Sequence, residues 1–391
     1  MKKDTTLVDA GRHPDKSYGF VNPPIVRGST VVFDTLAEFE HAGANRFDVL
    51  VYGRFGTPTT KAFEEAIAEI EGGSATHRTV AVSSGMAAAA VAILAFVKTG
   101  DHVLVPDNVY GPVRNLGKLF LDRFGVEMTF YDPAIGSGIE SQLRPNTVML
   151  YLEAPGSLTM EMPDVPALVA AARNHGIMTA LDNTWASPYF YRPLEHGVDV
   201  SVMAATKYVV GHSDAMLGAV TVAKDRFEQL KTTANILGNC PSPEDCYLGL
   251  RGLRTMGVRL KQHQVNAMKV AEWLLGHPEV QQVRYPALSQ DPGHAIWKRD
   301  FEGASGLLSV VLNDRPKAAV AAMIDGYEHF GLGGSFGGFE SLVLPVRVDA
   351  LRSATKWDPG GPAVRYHVGL EDPDDLIADL SAGFERFAAA G

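Results

Sequence analysis

The sequence predicts an α/β fold: a large domain built on a mostly parallel sheet with helices on both faces, then a smaller α+β C-terminal domain. Strand-like and helix-like segments alternate from about residue 78 to residue 223. The strands are continuous apolar runs, the pattern of strands buried on both faces. After a long helical stretch the regular alternation stops. With 391 residues the chain has room for two or three domains.

Residues 1–60 read as an irregular arm with scattered Pro, Gly and Arg and one short helix near "TLAEFEHAGA". "TPTTKAFEEAIAEIEGG" reads as a helix capped by Thr59 or Thr60 and ended by Gly72 and Gly73. Then come "RTVAVSS" (strand), "GMAAAAVAILAFVKTG" (helix), "DHVLVPD" (strand), "VYGPVRNLGKLFLDRFG" (helix) and "VEMTFYD" (strand). "TVMLYLEAP", "IMTALDNT", "VDVSVMAATK" and "LGAVTVA" are further strands, with "VPALVAAARNHG" a helix among them. This makes seven strands in the large sheet. The stretch "EDCYLGLRGLRTMGVRLKQHQVNAMKVAEWLLGHPEV" is helical and carries the chain into its last part. There, strands ("SGLLSVVLN", "SLVLPVR", "AVRYHVGL") mix with helices ("PKAAVAAMIDGYEHF", "DPDDLIADLSAGFERFAAA"). The expected division is an arm of residues 1–60, a large domain of 61–256 and a C-terminal domain of 257–391.

The net charge of −10 leaves no basic excess for nucleic acid or an anionic membrane. Two cysteines, Cys240 and Cys246, supply neither a disulfide framework nor a zinc site, and they read as reduced thiols of a cytoplasmic protein. The N-terminus lacks the apolar stretch of a signal peptide. The apolar run from Met86 to Val97 is too short to cross a bilayer.

Ligands of open parallel sheets sit beyond the carboxyl ends of the strands. Three motifs fall there. Ser83-Ser84-Gly85-Met86 opens a helix, whose free N–H groups can hold a phosphate. Asp182 ends an apolar strand. Lys207 sits among Val202, Met203, Ala204, Ala205, Val209 and Val210, where an ammonium loses hydration. Taken singly, these are a helix cap, a turn residue and a surface lysine. Together they match pyridoxal 5'-phosphate (PLP), which needs a phosphate cradle, an acid for its ring nitrogen and a lysine for its Schiff base.

Eight stretches in order strengthen that match: "VYGRFGTPTT", "SSGMAA", "NVYGPVRN", "LEAPGSLTMEMPDVP", "LDNTW", "AATKYVVGHSDAMLG", "GSFGGFESL" and "VRYHVGLEDPDDLIADL". Through them nearly the whole chain resembles the Cys/Met-metabolism family of PLP enzymes (the trans-sulfuration enzymes), most closely its cystathionine β-lyase branch. The resemblance implies PLP-dependent transferase fold type I and a homotetramer of two catalytic dimers. It implies that Lys207 holds the cofactor, Asp182 pairs with its ring nitrogen and Tyr110 stacks on its ring. Gly85, Met86 and Thr206 would serve its phosphate. Tyr52 and Arg54 would reach the phosphate of a neighbouring subunit. Arg365 would bind the substrate carboxylate, with Ser335 close by in a glycine-rich loop. His212 and His367 have no companions at metal spacing and read as structural.

The implied reaction is β-elimination of L-cystathionine to homocysteine, pyruvate and ammonia, with Lys207 moving the Cα proton and Tyr110 or Lys207 protonating the thiolate. The alternative is γ-elimination on another amino acid such as methionine, cystathionine or canavanine. Phe55 stands where some cystathionine β-lyases carry a second arginine, which puts the distal end of the substrate in question. A non-catalytic binder with this fold would have no use for Lys207, Asp182, Tyr110 and Arg365 together.

Overall fold

Seven of the apolar runs form one sheet. The computed structural model describes residues 1–348 and 351–390. The strands are β1 (His77–Val82), β2 (His102–Pro106), β3 (Glu127–Tyr131), β4 (Thr147–Glu153), β5 (Met178–Asp182), β6 (Val200–Met203) and β7 (Gly218–Ala223). Their order is β1-β7-β6-β5-β4-β2-β3. The strands from β3 to β6 pair in parallel, and β7 runs antiparallel to both its neighbours. Along β4, Leu150 and Leu152 enter one buried cluster while Met149 and Tyr151 enter another on the opposite face. Burial on both faces explains why these strands are apolar throughout.

The helix Pro58–Glu71 begins two or three residues earlier than expected. Thr57 is its cap, accepting from the Thr60 N–H, and Pro58 suits the first helical position because no N–H is needed there. Thr59 is used otherwise. Its hydroxyl donates to the Pro24 carbonyl and accepts from the Val26 N–H, both at 2.8 Å, and so fastens the arm. The arm's helix Leu36–Ala44 starts at a reciprocal capping box of Thr35 and Glu38. A further helix, Lys3–Asp9, has only Leu7 buried and is held by Arg254, which donates to the Leu7 and Ala10 carbonyls. Its reason for being helical lies in that docking, not in its own sequence.

Helix Pro243–Leu275, capped by Ser242, runs unbroken past residue 256. Beyond it a second sheet contains β8 (Val280–Arg284), β9 (Leu307–Leu312), β10 (Gly331–Leu332), β11 (Leu342–Val346) and β12 (Ala363–His367), ordered β10-β11-β12-β9-β8. β8 and β10 are absent from the sequence-based expectation. Two glutamines interrupt the apolar pattern of β8, and β10 is two residues long. Leu152 and Leu181 of the first sheet share a buried cluster with Tyr285 and Tyr366 of the second part, so the core is continuous between them. Among the described residues, no helix is long and apolar enough to cross a membrane.

Candidate active site

The carboxyl ends of β4, β5 and β6 bring together groups that are far apart in sequence. Asp182 ends β5 and is in register with Glu153, the last residue of β4. Burial raises the Asp182 carboxyl above its ordinary range, while the Thr184 side chain and N–H and the nearby Lys207 oppose the shift. The Thr184 N–H donates to it at 3.0 Å. Glu153 joins this group and is not among the residues the sequence points to. It accepts from the Tyr110 N–H at 2.8 Å, and burial plus the charge of Asp182 drive its pKa well above normal. The signal was available: Glu153 ends an apolar strand just as Asp182 does.

Lys207 follows β6. Its Nζ donates to Ser335 Oγ at 2.7 Å and lies 5.0 Å from the centre of the Phe336 ring. Burial brings its pKa down to about 8, the Arg365 charge adds to the shift, and Asp182 opposes it. The loop carrying Ser335 has a defined shape because of its next glycine. Gly337 has φ +86°, and a Cβ there would stand 2.8 Å from the Lys207 carbonyl carbon. Only glycine allows that close approach in that conformation. The Gly337 N–H donates to His367 Nε2 at 3.0 Å, so His367 helps fix the loop. Burial first, then the charges of His263, Arg365 and Lys207, holds His367 well below its usual pKa and keeps it neutral.

Arg365 lies on β12 among buried neighbours. It donates to the Ser157 carbonyl at 3.2 Å and the Ser335 carbonyl at 3.3 Å. Burial lowers its pKa to about 10, so it stays a cation at neutral pH. Both contacts are neutral carbonyls, which leaves its charge without a buried counter-ion among the described residues. Tyr110 is 43 % exposed and faces this region. Its hydroxyl is shifted upward by burial and by the charges of Asp182 and Glu153, which makes it a proton donor and not a base at neutral pH.

Helix Gly85–Leu94 starts beside this group. A Cβ on Gly85 would stand 2.4 Å from the Ala204 Cβ, three residues before Lys207. The helix N-terminus is thus pressed against the lysine's own segment. Ser84 Oγ takes the Ala87 N–H, and the first-turn N–H groups of Gly85 and Met86 need an acceptor. The Thr206 hydroxyl donates to the Leu217 carbonyl at 3.1 Å and accepts from the Leu217 N–H, so it must rotate to serve any phosphate.

The remaining expected residues lie elsewhere in the single chain. Tyr52 is 45 % exposed, next to the short turn Gly53–Phe55. Arg54 donates to the Asn235 carbonyl at 3.0 Å and stacks over Phe55, which in turn packs on Phe47. His212 bonds to the nearby Val210 carbonyl. No group of three or more metal-ligating side chains occurs among the described residues.

These residues fit pyridoxal phosphate. A desolvated amine, a buried carboxylate and a helix start with free N–H groups converge at strand ends. The Gly85 cradle is one that any side chain would close.

Comparison with known proteins agrees with the chemistry. The family described as Cys/Met metabolism PLP-dependent enzyme matches residues 4–385. The cystathionine β-lyase MetC of Escherichia coli K12 is 45% identical, over 98% of each chain. An L-alanine/L-glutamate racemase of Wolbachia pipientis is 40% identical, over 99% of this chain and 98% of its own. Among solved structures, cystathionine γ-synthase of Xanthomonas oryzae in complex with cystathionine is similar with a TM-score of 0.90 at 34% identity, over the whole of both chains.

Proposed function

The chain belongs to the Cys/Met metabolism PLP-dependent enzymes, and from that membership we propose a carbon–sulfur lyase that β-eliminates L-cystathionine to homocysteine, pyruvate and ammonia. One observation carries the reading. Lys207 and Arg365 meet at a single residue, Ser335, one at its hydroxyl and the other at its carbonyl. An amine base and a carboxylate binder held this close suit an α-amino acid.

In this reading Lys207, Asp182, Gly85, Met86, Thr206 and Tyr110 hold the cofactor, joined by Tyr52 and Arg54 from a neighbouring subunit. When bound, the cofactor supplies an electron-accepting ring for the pair left at Cα. Arg365 binds the α-carboxylate through its planar fork. The neutral Lys207 amine removes the Cα proton. Its pKa of about 8 leaves a useful neutral fraction at mildly alkaline pH. The Cβ–S bond then breaks. The thiolate takes its proton from the Lys207 ammonium or the Tyr110 hydroxyl, and the three-carbon remainder hydrolyses to pyruvate and ammonia. A shared site requires at least a dimer, and the family membership supports a homotetramer of two such catalytic dimers. A cytoplasmic location suits the two unpaired thiols.

Incubating the holoenzyme with L-cystathionine tests the reaction. Pyruvate with homocysteine is the expected result. The γ-elimination alternative, suggested by Phe55 in place of an arginine, would give 2-oxobutyrate with cysteine. Recovered substrate of mixed chirality and no keto acid would mean that the proton returns to Cα, and elimination would then be wrong.

A further inference from the structure

Asp107 lies one residue beyond β2, three before Tyr110, and its side chain is fully out of water. Its Oδ1 accepts from Arg114 at 2.6 Å and from the Ser353 N–H and hydroxyl at 3.0 and 3.2 Å. Its Oδ2 accepts from the N–H groups of Ser353 (3.0 Å), Ala354 (2.9 Å) and Thr355 (2.7 Å), and from the Thr355 hydroxyl (2.9 Å). Three successive backbone N–H groups converge on one carboxylate, a nest suited to an anion. Burial raises the Asp107 pKa, but the Ser353 N–H, Arg114 and Thr355 outweigh it and keep the group ionised.

The clasped segment reaches both walls of the site. On one side Asp107 leads directly into Tyr110. On the other, Arg352 donates to Thr159 Oγ1 (2.8 Å) and Glu161 Oε2 (2.7 Å), just beyond the Ser157 carbonyl that holds Arg365. Arg352 also braces the segment internally through Thr355 Oγ1 at 2.8 Å. Trp357 is flanked by the guanidinium groups of Arg284 and Arg352, at 5.2 and 5.8 Å from its ring centre.

We propose that Asp107 is a positioning residue: its carboxylate clasps residues 352–357 beside Tyr110 and Arg365, and the clasped segment sets selectivity for the part of the substrate beyond the sulfur. This rests on the lyase reading above. The part nearest Cα is held by Arg365 and Lys207 and does not need the segment. A long thioether amino acid therefore depends on the clasp, and a short substrate does not.

The test compares holoenzyme variants on L-cystathionine and on β-chloro-L-alanine, whose leaving group is a single atom. For Asp107→Asn the KM for cystathionine should rise at least about tenfold, as expected when a charge-assisted network is lost. Its kcat, and both constants for β-chloro-L-alanine, should change less than about threefold. Hydrogen exchange over residues 351–357 should rise, a readout independent of turnover. Equal losses on both substrates, or none on either, would overturn the proposal. Should Asp107→Asn fail to fold, Thr355→Val decides, because it removes one hydroxyl from the clasp. A KM rise of about twofold or more for cystathionine alone supports the proposal, and equal or absent changes refute it. Failure of the lyase reading is seen separately, as absent cystathionine turnover by the wild-type enzyme.

Discussion

Lys207 shows how surroundings tune the chemistry of a single side chain. Its ammonium is desolvated, faces the Arg365 cation, and has the buried Asp182 as partial compensation. Burial and Arg365 favour the neutral form, so the amine loses its proton at a lower pH than an exposed lysine does. In cofactor-free protein the amine should therefore be acylated with a midpoint near pH 8. Peptide mapping across a pH series would measure this, and a midpoint above 10 would contradict it. The sign for stability follows. The unfolded chain binds this proton more tightly than the folded one, so folding stability from this group falls as pH drops from the unfolded value through 8. Arg365→Lys replaces a planar fork with a point charge and should raise KM about tenfold while leaving the melting temperature within a few degrees. Gly337→Ala should do the reverse of a clean catalytic mutation. A side chain at φ +86° costs about 1–2 kcal/mol, and its Cβ would also press on Lys207. Both activity and thermal midpoint should fall, and unchanged melting would show that the loop relaxes.

At the level of elements, the legible parts were those whose signal is local. The strands β1 to β7 could be read because burial on both faces demands unbroken apolar runs, and Lys207 and Asp182 stand out as charges at the ends of such runs, whereas Arg365, on β12, is pointed to only by the family resemblance. The unread parts depend on distant partners. β8 owes its pairing to β9, which it meets antiparallel. Asp107 is an ordinary turn aspartate until Ser353–Thr355 fold onto it, 246–248 residues later. "GLGGSFGGF" reads as a flexible loop, yet His367 and the Lys207 backbone fix it. Thr57 does not stand out as a cap in the sequence because the run Thr59-Thr60 offers equally good oxygens. The helix start at Gly85 was legible as a phosphate cradle, and its packing makes that reading testable. Gly85→Ala should move the helix end off Ala204 and lower cofactor retention on gel filtration, with little change in far-UV circular dichroism. Full retention would mean that the N-terminus tolerates displacement and is not pressed against its ligand.

On the scale of the whole molecule, the arm is the part a single chain does not account for. Tyr18, Phe20, Val32, Leu36 and Phe39 are between 60 and 93 % exposed. Apolar surface of this kind, left open along one stretch, is ordinarily covered by a partner. A second copy is the partner we propose, and Arg54 decides between two arrangements. If it serves its own chain, its bond to the Asn235 carbonyl is its whole role. If it serves the neighbouring site, each site needs Lys207 from one chain and Arg54 from the other. Mixing two inactive variants separates the cases. Arg54→Ala keeps its own Lys207 but offers its neighbour no arginine, while Lys207→Ala has the opposite defect. In a mixed dimer one of the two sites then holds both intact residues, and the other holds neither. Unfolding and refolding the variants together should restore about a quarter of the wild-type activity, since half of randomly mixed dimers are hybrids with one working site. Each variant refolded alone should stay low. No recovery in mixtures where an affinity tag on one variant co-purifies the other would place Arg54 in its own chain and remove the reason for a shared site.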